Sequence, residues 1–230
     1  MPSEWWTYTL RDFLLFSPRT YYRLFELYNS AIWPAQIVAI GLGLTILALQ
    51  RRPGAARGRV IAAILAGCWL FVAIAFHARR YAAINTAAVY FAAGFGLQAA
   101  LLIWVGIVRG RLSFERRLDP ASRTGFWIFL FALAIVPILG PLLLHRGWRQ
   151  VEVFGVAPDP TAVATLGILL LASGRGRRAL FVVPAIWCAI TGATLLAMKV
   201  PDAWIPPLAA ALAIAMAIRQ RPARKRIEPA

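Results

Sequence analysis

Residues Ala87–Val108 read AAVYFAAGFGLQAALLIWVGIV and contain no charged side chain. A helix needs roughly 20 mostly apolar residues to cross the hydrocarbon core of a bilayer, and this stretch reaches that length. The stretch therefore predicts a transmembrane helix.

Further apolar stretches flank it on both sides, separated by short loops that hold most of the charge. The shortest, at 161–172, allows either a complete crossing or a re-entrant helix. We expect an all-α transmembrane bundle of about seven spans. The predicted spans are Ala31–Leu49, Val60–Phe76, Ala87–Val108, Gly125–Leu144, Thr161–Ala172, Ala179–Met198 and Ala203–Ile218.

The composition agrees with a membrane protein. Hydrophobic residues make up 60% of the chain and charged residues 15%, whereas a soluble domain is nearer half apolar and a quarter charged. The net charge of +16 lies in the short loops, so we expect no nucleic-acid partner. The Arg- and Ala-rich usage indicates a bacterial protein, and we expect it in the cytoplasmic (inner) membrane.

The basic residues also predict an orientation. Roughly two thirds of the 25 Lys and Arg residues fall in alternate connecting segments, and cytoplasmic loops carry such an excess. This places the N-terminus outside and the C-terminus inside. The basic inner face is expected to attract anionic lipid headgroups.

The segment before the first span differs from the rest of the chain. Aromatic residues recur with helical spacing, and Ser17-Pro18 is a typical helix start. We expect amphipathic helices on the outer membrane surface at 1–30, the bundle at 31–218 and a basic cytoplasmic tail at 219–230. As an alternative to simple anchoring, a partner protein would dock on Trp5, Trp6, Tyr21 and Tyr22.

The sequence contains no catalytic signature and no phosphate-binding glycine loop, so we expect neither an enzyme nor a cofactor. A metal-site hypothesis combines polar residues expected at the outer helix ends, where ordinary interfacial anchoring is the alternative. Its members are His77, His145, Glu152 and Asp159.

Two buried features allow a structural or a functional interpretation. Cys68 and Cys188 are expected at similar depth in two spans, where they form a thiol pair for a soft metal or act as small apolar residues. Asp159, between two prolines, is expected to cap the fifth helix or to contribute to a carrier site.

Pro137, Pro141 and Pro184 are expected to kink their helices. Close helix approach is expected at four glycines. These are Gly41, Gly43, Gly94 and Gly96.

Three stretches resemble a bacterial family of polytopic membrane proteins of unknown function. They are SEWWTYTLRDFLLFSPRTYYRLFELYN near the start, IWPAQ at the first span and FGVAPDPTAVATLGILLL at the fifth. Members of that family are sometimes labelled permeases. The resemblance implies a membrane protein and brings no established activity or site residues.

Two functions remain open from the sequence. The first is a permease-like carrier of a small solute or ion, which kinked helices around a polar outer cluster would suit. The second is a non-catalytic anchoring subunit of a larger respiratory or photosynthetic membrane complex, which the aromatic N-terminal segment would suit.

Overall fold

The computed structural model describes residues 16–52, 54–114, 119–144 and 146–220. Helices dominate this described part, which confirms the predicted all-α class. The α-helices are α1 (Pro18–Ala31), α2 (Ala35–Leu49), α3 (Ala55–Phe71), α4 (Ala88–Leu102), α5 (Pro120–Leu130), α6 (Val136–Leu143), α7 (Pro158–Leu171), α8 (Val182–Ala197) and α9 (Ile205–Arg219). Two short strands, β1 (Ser113–Phe114) and β2 (Ala172–Ser173), pair antiparallel.

Wider π-helical turns lengthen several of these helices. Val72–Ala78 extends α3, Ile103–Val108 extends α4, and Phe131–Ile135 joins α5 to α6. The last turn immediately precedes α6, where Pro137 lies in the first turn and Pro141 in the interior, and the kinks predicted at these prolines stay a prediction. Pro184 lies instead in the first turn of α8. Backbone N–H groups in the first turn have no carbonyl partner within the helix, so the missing N–H of proline costs no hydrogen bond there.

By length and composition, several helical segments are able to cross a membrane. Four qualify singly, and α1 with α2 would make a fifth, although these two helices meet at 87°. The chain therefore has four to five candidate spans, and α7 and α9 are shorter apolar helices. The four are Ala55–Ala83, Ala88–Val108, Pro120–Leu143 and Arg177–Ala197.

Helix α7 lies at the centre of the bundle. All of its 14 residues are buried, and it contacts α3, α5, α8 and α9. Its length is about 21 Å at 1.5 Å per residue. Because other helices surround α7, its apolar length does not have to match the lipid core as that of a lipid-facing helix does.

The loops gather at two opposite ends of the bundle. At the ribbon end, β1 and β2 join the loop after α4 to the loop after α7. The Gln220 Nε2 atom also donates to the Leu170 carbonyl at 2.9 Å, which ties the end of α9 to the end of α7.

At the pocket end, α1 and the loops before α7 and α9 meet. The Tyr28 hydroxyl donates to the Val156 carbonyl at 2.7 Å, and Asn29 Nδ2 donates to the Arg149 carbonyl at 2.9 Å. Helix α7 therefore starts at the pocket end and finishes at the ribbon end.

Helix α1 begins as predicted, because the Ser17 side chain accepts from the Thr20 N–H at 3.2 Å. Its apolar face packs on the end of α3, where the Phe25 and Phe76 rings are 5.0 Å apart. The perpendicular path of α1 relative to α2 suits a helix on the membrane surface, although its location there stays a prediction. The earlier part of the N-terminal segment, before Phe16, lies outside the described residues.

A close approach of two helix backbones occurs at glycines other than those predicted. Helices α5 and α7 cross where a Cβ on Gly167 would lie 2.7 Å from the Phe129 amide nitrogen and 2.8 Å from the Gly125 carbonyl oxygen. The space that a side chain at Gly167 would need is therefore filled by atoms of α5, two of them backbone atoms.

Of the four predicted glycines, only Gly43 faces a packed neighbour, the Leu133 side chain. The sequence does not reveal how a helix is rotated about its axis, so it cannot distinguish an interface glycine from one on an open face. The other three have open space where a Cβ would be: Gly41, Gly94 and Gly96.

Candidate functional site

Of the residues that the structure describes, four charged side chains line one cavity at the pocket end, between α6 and the starts of α7 and α9. We call Arg146, Glu152, Asp159 and Asp202 the carboxylate pocket. The cavity has a volume of about 50 Å³. A polar space of this size has room for a few water molecules or one small cation.

Asp159 lies in the first turn of α7 and is buried. The sequence predicted it as a helix cap, but Ala157 occupies the cap position and the Asp159 carboxylate turns towards α8. One oxygen accepts from the Trp187 Nε1–H at 2.7 Å and the other accepts from the Thr191 hydroxyl at 2.9 Å. Both donors are neutral, so they orient the carboxylate without balancing its charge.

Arg146 and Asp202 form a bidentate ion pair across the pocket. Arg146 Nη1 and Nη2 donate to the two Asp202 carboxylate oxygens at 2.9 and 2.6 Å. The guanidinium also lies 4.1 Å from the centre of the Tyr22 ring. This pair connects the loop before α7 with the loop before α9.

Glu152 belongs to the loop between α6 and α7. The residue is partly exposed, but its Oε2 atom is buried and has no hydrogen-bond partner among the described residues. Burial, followed by the nearby charge of Asp159, raises the pKa of Glu152 well above its ordinary value. A carboxyl group in this setting favours a bound proton or a neighbouring cation over the bare anion.

The pocket therefore has an excess of negative charge. Because Arg146 and Asp202 balance each other, the charges of Glu152 and Asp159 remain without a matching cation among the four side chains. A proton or a small cation that donates hydrogen bonds would restore the balance. Such a ligand does not require the fixed geometry of a metal site.

The metal hypothesis receives no support from the positions of its members. Among the described residues, no three His, Cys, Asp or Glu side chains are grouped so that they could hold a metal ion. His77 is fully buried and surrounded by rings, including Phe95 at 4.5 Å and Trp187 at 4.9 Å between ring centres. It does not line the pocket of Glu152 and Asp159. His145 lies outside the described residues.

Cys68 and Cys188 are both buried and are free thiols. Cys68 lies beside Gly155, where an added Cβ would approach its sulfur to 3.0 Å. This packing suits the interpretation of Cys68 as a small apolar residue, and the thiol-pair hypothesis stays a prediction.

The aromatic docking residues are turned inwards where the structure describes them. Tyr21 is buried, with its ring 5.2 Å from Phe25 and 6.1 Å from Tyr81. Tyr22 is half-buried beneath the Arg146 guanidinium. Tyr21 therefore packs inside the pocket end while Tyr22 keeps part of its surface exposed, and docking of a partner on these residues stays a prediction. Trp5 and Trp6 lie outside the described residues.

Sequence reasoning missed Arg146 and the two donors to Asp159. Arg146 and Asp202 are 56 positions apart, in loops that no local pattern connects. Trp187 and Thr191 lie one helical turn apart on α8, so their two donor groups share one face of that helix. This spacing is the feature of the sequence from which a polar partner on a neighbouring helix could have been predicted.

A sequence profile described as a family of unknown function, DUF6064, matches residues 19–228. The match includes the helices described above, apart from the first residue of α1, and the whole carboxylate pocket. No curated protein and no solved structure matches the chain significantly. Because the profile extends over nearly the whole length, the chain belongs to the DUF6064 family.

Proposed function

We propose that the chain crosses the bacterial cytoplasmic membrane seven times, with the pocket end outside and the ribbon end in the cytoplasm. The contacts between loops support this topology. Pairing of β1 with β2 requires the loops after α4 and after α7 to share a side, as they do when α7 counts as a crossing. The ion pair of Arg146 and Asp202 requires the loops before α7 and before α9 to share the opposite side. This also holds when both α7 and α8 count as crossings.

The charge distribution supports the orientation. The ribbon end carries most of the basic residues, and loops rich in Lys and Arg stay in the cytoplasm. The acidic side chains of the carboxylate pocket lie at the opposite end. The basic residues near the ribbon end include Arg51, Arg52, Arg57, Arg59, Arg109, Arg111, Arg175, Arg177, Arg178 and Arg219.

For this bundle we propose the activity of a permease-like carrier of protons or of a small protonated amine. One observation carries the proposal: a buried carboxylate without a matching cation begins the central helix α7 and lines a cavity. Ionisable groups within a membrane domain are costly, and they usually mark a path for ions or protons.

The position of α7 adds to this proposal. A short helix that starts beside a polar site and is enclosed by its neighbours is a common way for carriers to form a substrate site. The π-helical turn before α6 and the proline-containing wall of the pocket supply an irregular element next to that site. Movement of this wall would change access to Glu152 and Asp159.

The proposal is tested with the purified full chain in liposomes under an inside-negative potential set with potassium and valinomycin. A trapped pH dye reports proton entry, and radioactive methylammonium reports the entry of a protonated amine. We expect at least one probe to enter about tenfold faster than into empty liposomes, which corresponds to a barrier lower by about 1.4 kcal/mol. Rates equal to those of empty liposomes for both probes would contradict the carrier.

A further inference from the structure

A second, larger cavity opens at the ribbon end, on the opposite side of the bundle from the carboxylate pocket. It has a volume of about 1080 Å³ and lies between the start of α5, the loop after β2 and the end of α9. Among the described residues, four arginines and a single acid line it. The lining arginines are Arg175, Arg177, Arg178 and Arg219.

The acid, Asp119, is already engaged by its own helix. Its carboxylate accepts from the Ser122 N–H at 3.0 Å and from the Ser122 hydroxyl at 2.8 Å, so it caps α5. Arg177 donates to the Ala172 carbonyl at 2.9 Å and to the Gln220 side chain, which fixes the wall of the cavity. The other three arginines are exposed. The cavity therefore has a strong excess of positive charge.

The loop that presents these arginines has a defined shape. Gly174 and Gly176 adopt positive φ angles of 125° and 90°, which favour glycine. At Gly174 a Cβ would collide with the backbone carbonyl of Arg111. This loop therefore lies in close contact with the backbone just before strand β1. A close backbone contact of this kind positions Arg175 and Arg178 relative to the end of α9.

Exposed apolar side chains lie close in sequence to the lining arginines on two helices. Ile218 is 76% exposed and directly precedes Arg219 on α9, while Val182 is 53% exposed and lies one turn after Arg178 on α8. Ile186 continues this exposed apolar strip on α8. A basic cavity that borders an apolar strip matches a molecule with an anionic head and hydrocarbon tails.

We propose that this ribbon-end cavity binds the phosphate headgroup of an anionic phospholipid, with the acyl chains along α8 and α9. The arginines account for binding of phosphate in general, because a guanidinium donates to two phosphate oxygens at once. The apolar strip selects a lipid over a soluble phosphate. The site is independent of the carrier activity and of the carboxylate pocket.

Native mass spectrometry of the detergent-solubilised full chain tests the proposal. Phosphatidylglycerol is the anionic probe, phosphatidylcholine is the zwitterionic comparison, and inorganic phosphate is the soluble competitor. The cavity variant is R175Q/R219Q. The matched control is R51Q/R52Q, which removes the same charge from exposed residues at the same end that do not line the cavity.

We expect wild type and R51Q/R52Q to retain phosphatidylglycerol in preference to phosphatidylcholine. R175Q/R219Q should bind phosphatidylglycerol roughly thirtyfold more weakly, because each basic residue near an anionic surface contributes about fivefold to affinity. Equal retention of the two lipids by wild type, or equal weakening by both double variants, would overturn the proposal. Displacement of phosphatidylglycerol by millimolar inorganic phosphate would overturn the lipid assignment, since it would identify a soluble-anion site.

Discussion

Replacing Gly167 by alanine is expected to destabilise the whole bundle. The new methyl group would lie 2.7 Å from the Phe129 amide nitrogen and 2.8 Å from the Gly125 carbonyl oxygen, both of them backbone atoms of α5. Neither can turn aside as a flexible side chain would. Separation of α5 from α7 is expected to cost about 3 kcal/mol or more. In thermal denaturation of the purified protein this corresponds to a midpoint lower by roughly 6–12 °C.

Gly94→Ala is the matched control, because the same methyl group at Gly94 meets nothing within 4 Å. Both glycines lie in helices, so alanine brings the same gain in helix propensity of up to about 1 kcal/mol at each. We expect the control to melt at or slightly above the temperature of wild type. If G167A melted together with G94A, the tight crossing of α5 and α7 would not exist in the protein.

Replacing Asp159 by asparagine is expected to remove transport while the fold is kept. Asparagine has the shape of aspartate, and its amide oxygen still accepts from the Trp187 N–H. The Thr191 hydroxyl is able to reverse its role and accept from the new amide, since a hydroxyl is both donor and acceptor. Only the negative charge is lost. Removing a buried charge that faces a bound cation costs at least about 2 kcal/mol, or roughly thirtyfold in the protein-mediated rate, so entry of the transported probe should fall close to the rate of empty liposomes.

Asp119→Asn is the control for that experiment. It removes one carboxylate at the ribbon end, and asparagine caps a helix about as well as aspartate, so α5 is expected to keep its start. Transport by D119N should match that of wild type in the same liposomes. The melting temperature shows whether D159N is folded. If folded D159N admitted the probe at the same rate as D119N, Asp159 would be excluded from the transport path.

Apolar length identified the helices well, because long apolar stretches favour helices that are able to cross a membrane. It left open whether 161–172, which became α7, forms a complete crossing. That helix is short because other helices enclose it, and neighbours distant in sequence are not visible in a hydropathy pattern. The same reason explains the glycines: Gly94 and Gly167 both lie in apolar stretches, and only the rotation of each helix decides which of them meets a partner backbone.

The site was predicted in part. Asp159 and Glu152 were identified as outer polar residues, and both line the carboxylate pocket. The role predicted for Asp159 as a cap was wrong, because two donors on α8 compete for its carboxylate and Ala157 precedes the helix. The environment of His77 was also unpredictable, since the surrounding rings come from separate elements that meet only in the folded bundle.

The proposed topology depends above all on α7 crossing the membrane, so that the pocket end and the ribbon end face opposite sides. Labelling of single cysteines tests this crossing most directly, with Cys68 and Cys188 replaced by alanine. Lys199→Cys reports on the pocket end and Arg52→Cys on the ribbon end, and both positions are exposed. With a membrane-impermeant maleimide applied to intact cells, we predict labelling at position 199 at once and at position 52 only after the membrane is permeabilised. Labelling of both positions from the same side, or of position 52 alone, would contradict the proposed topology.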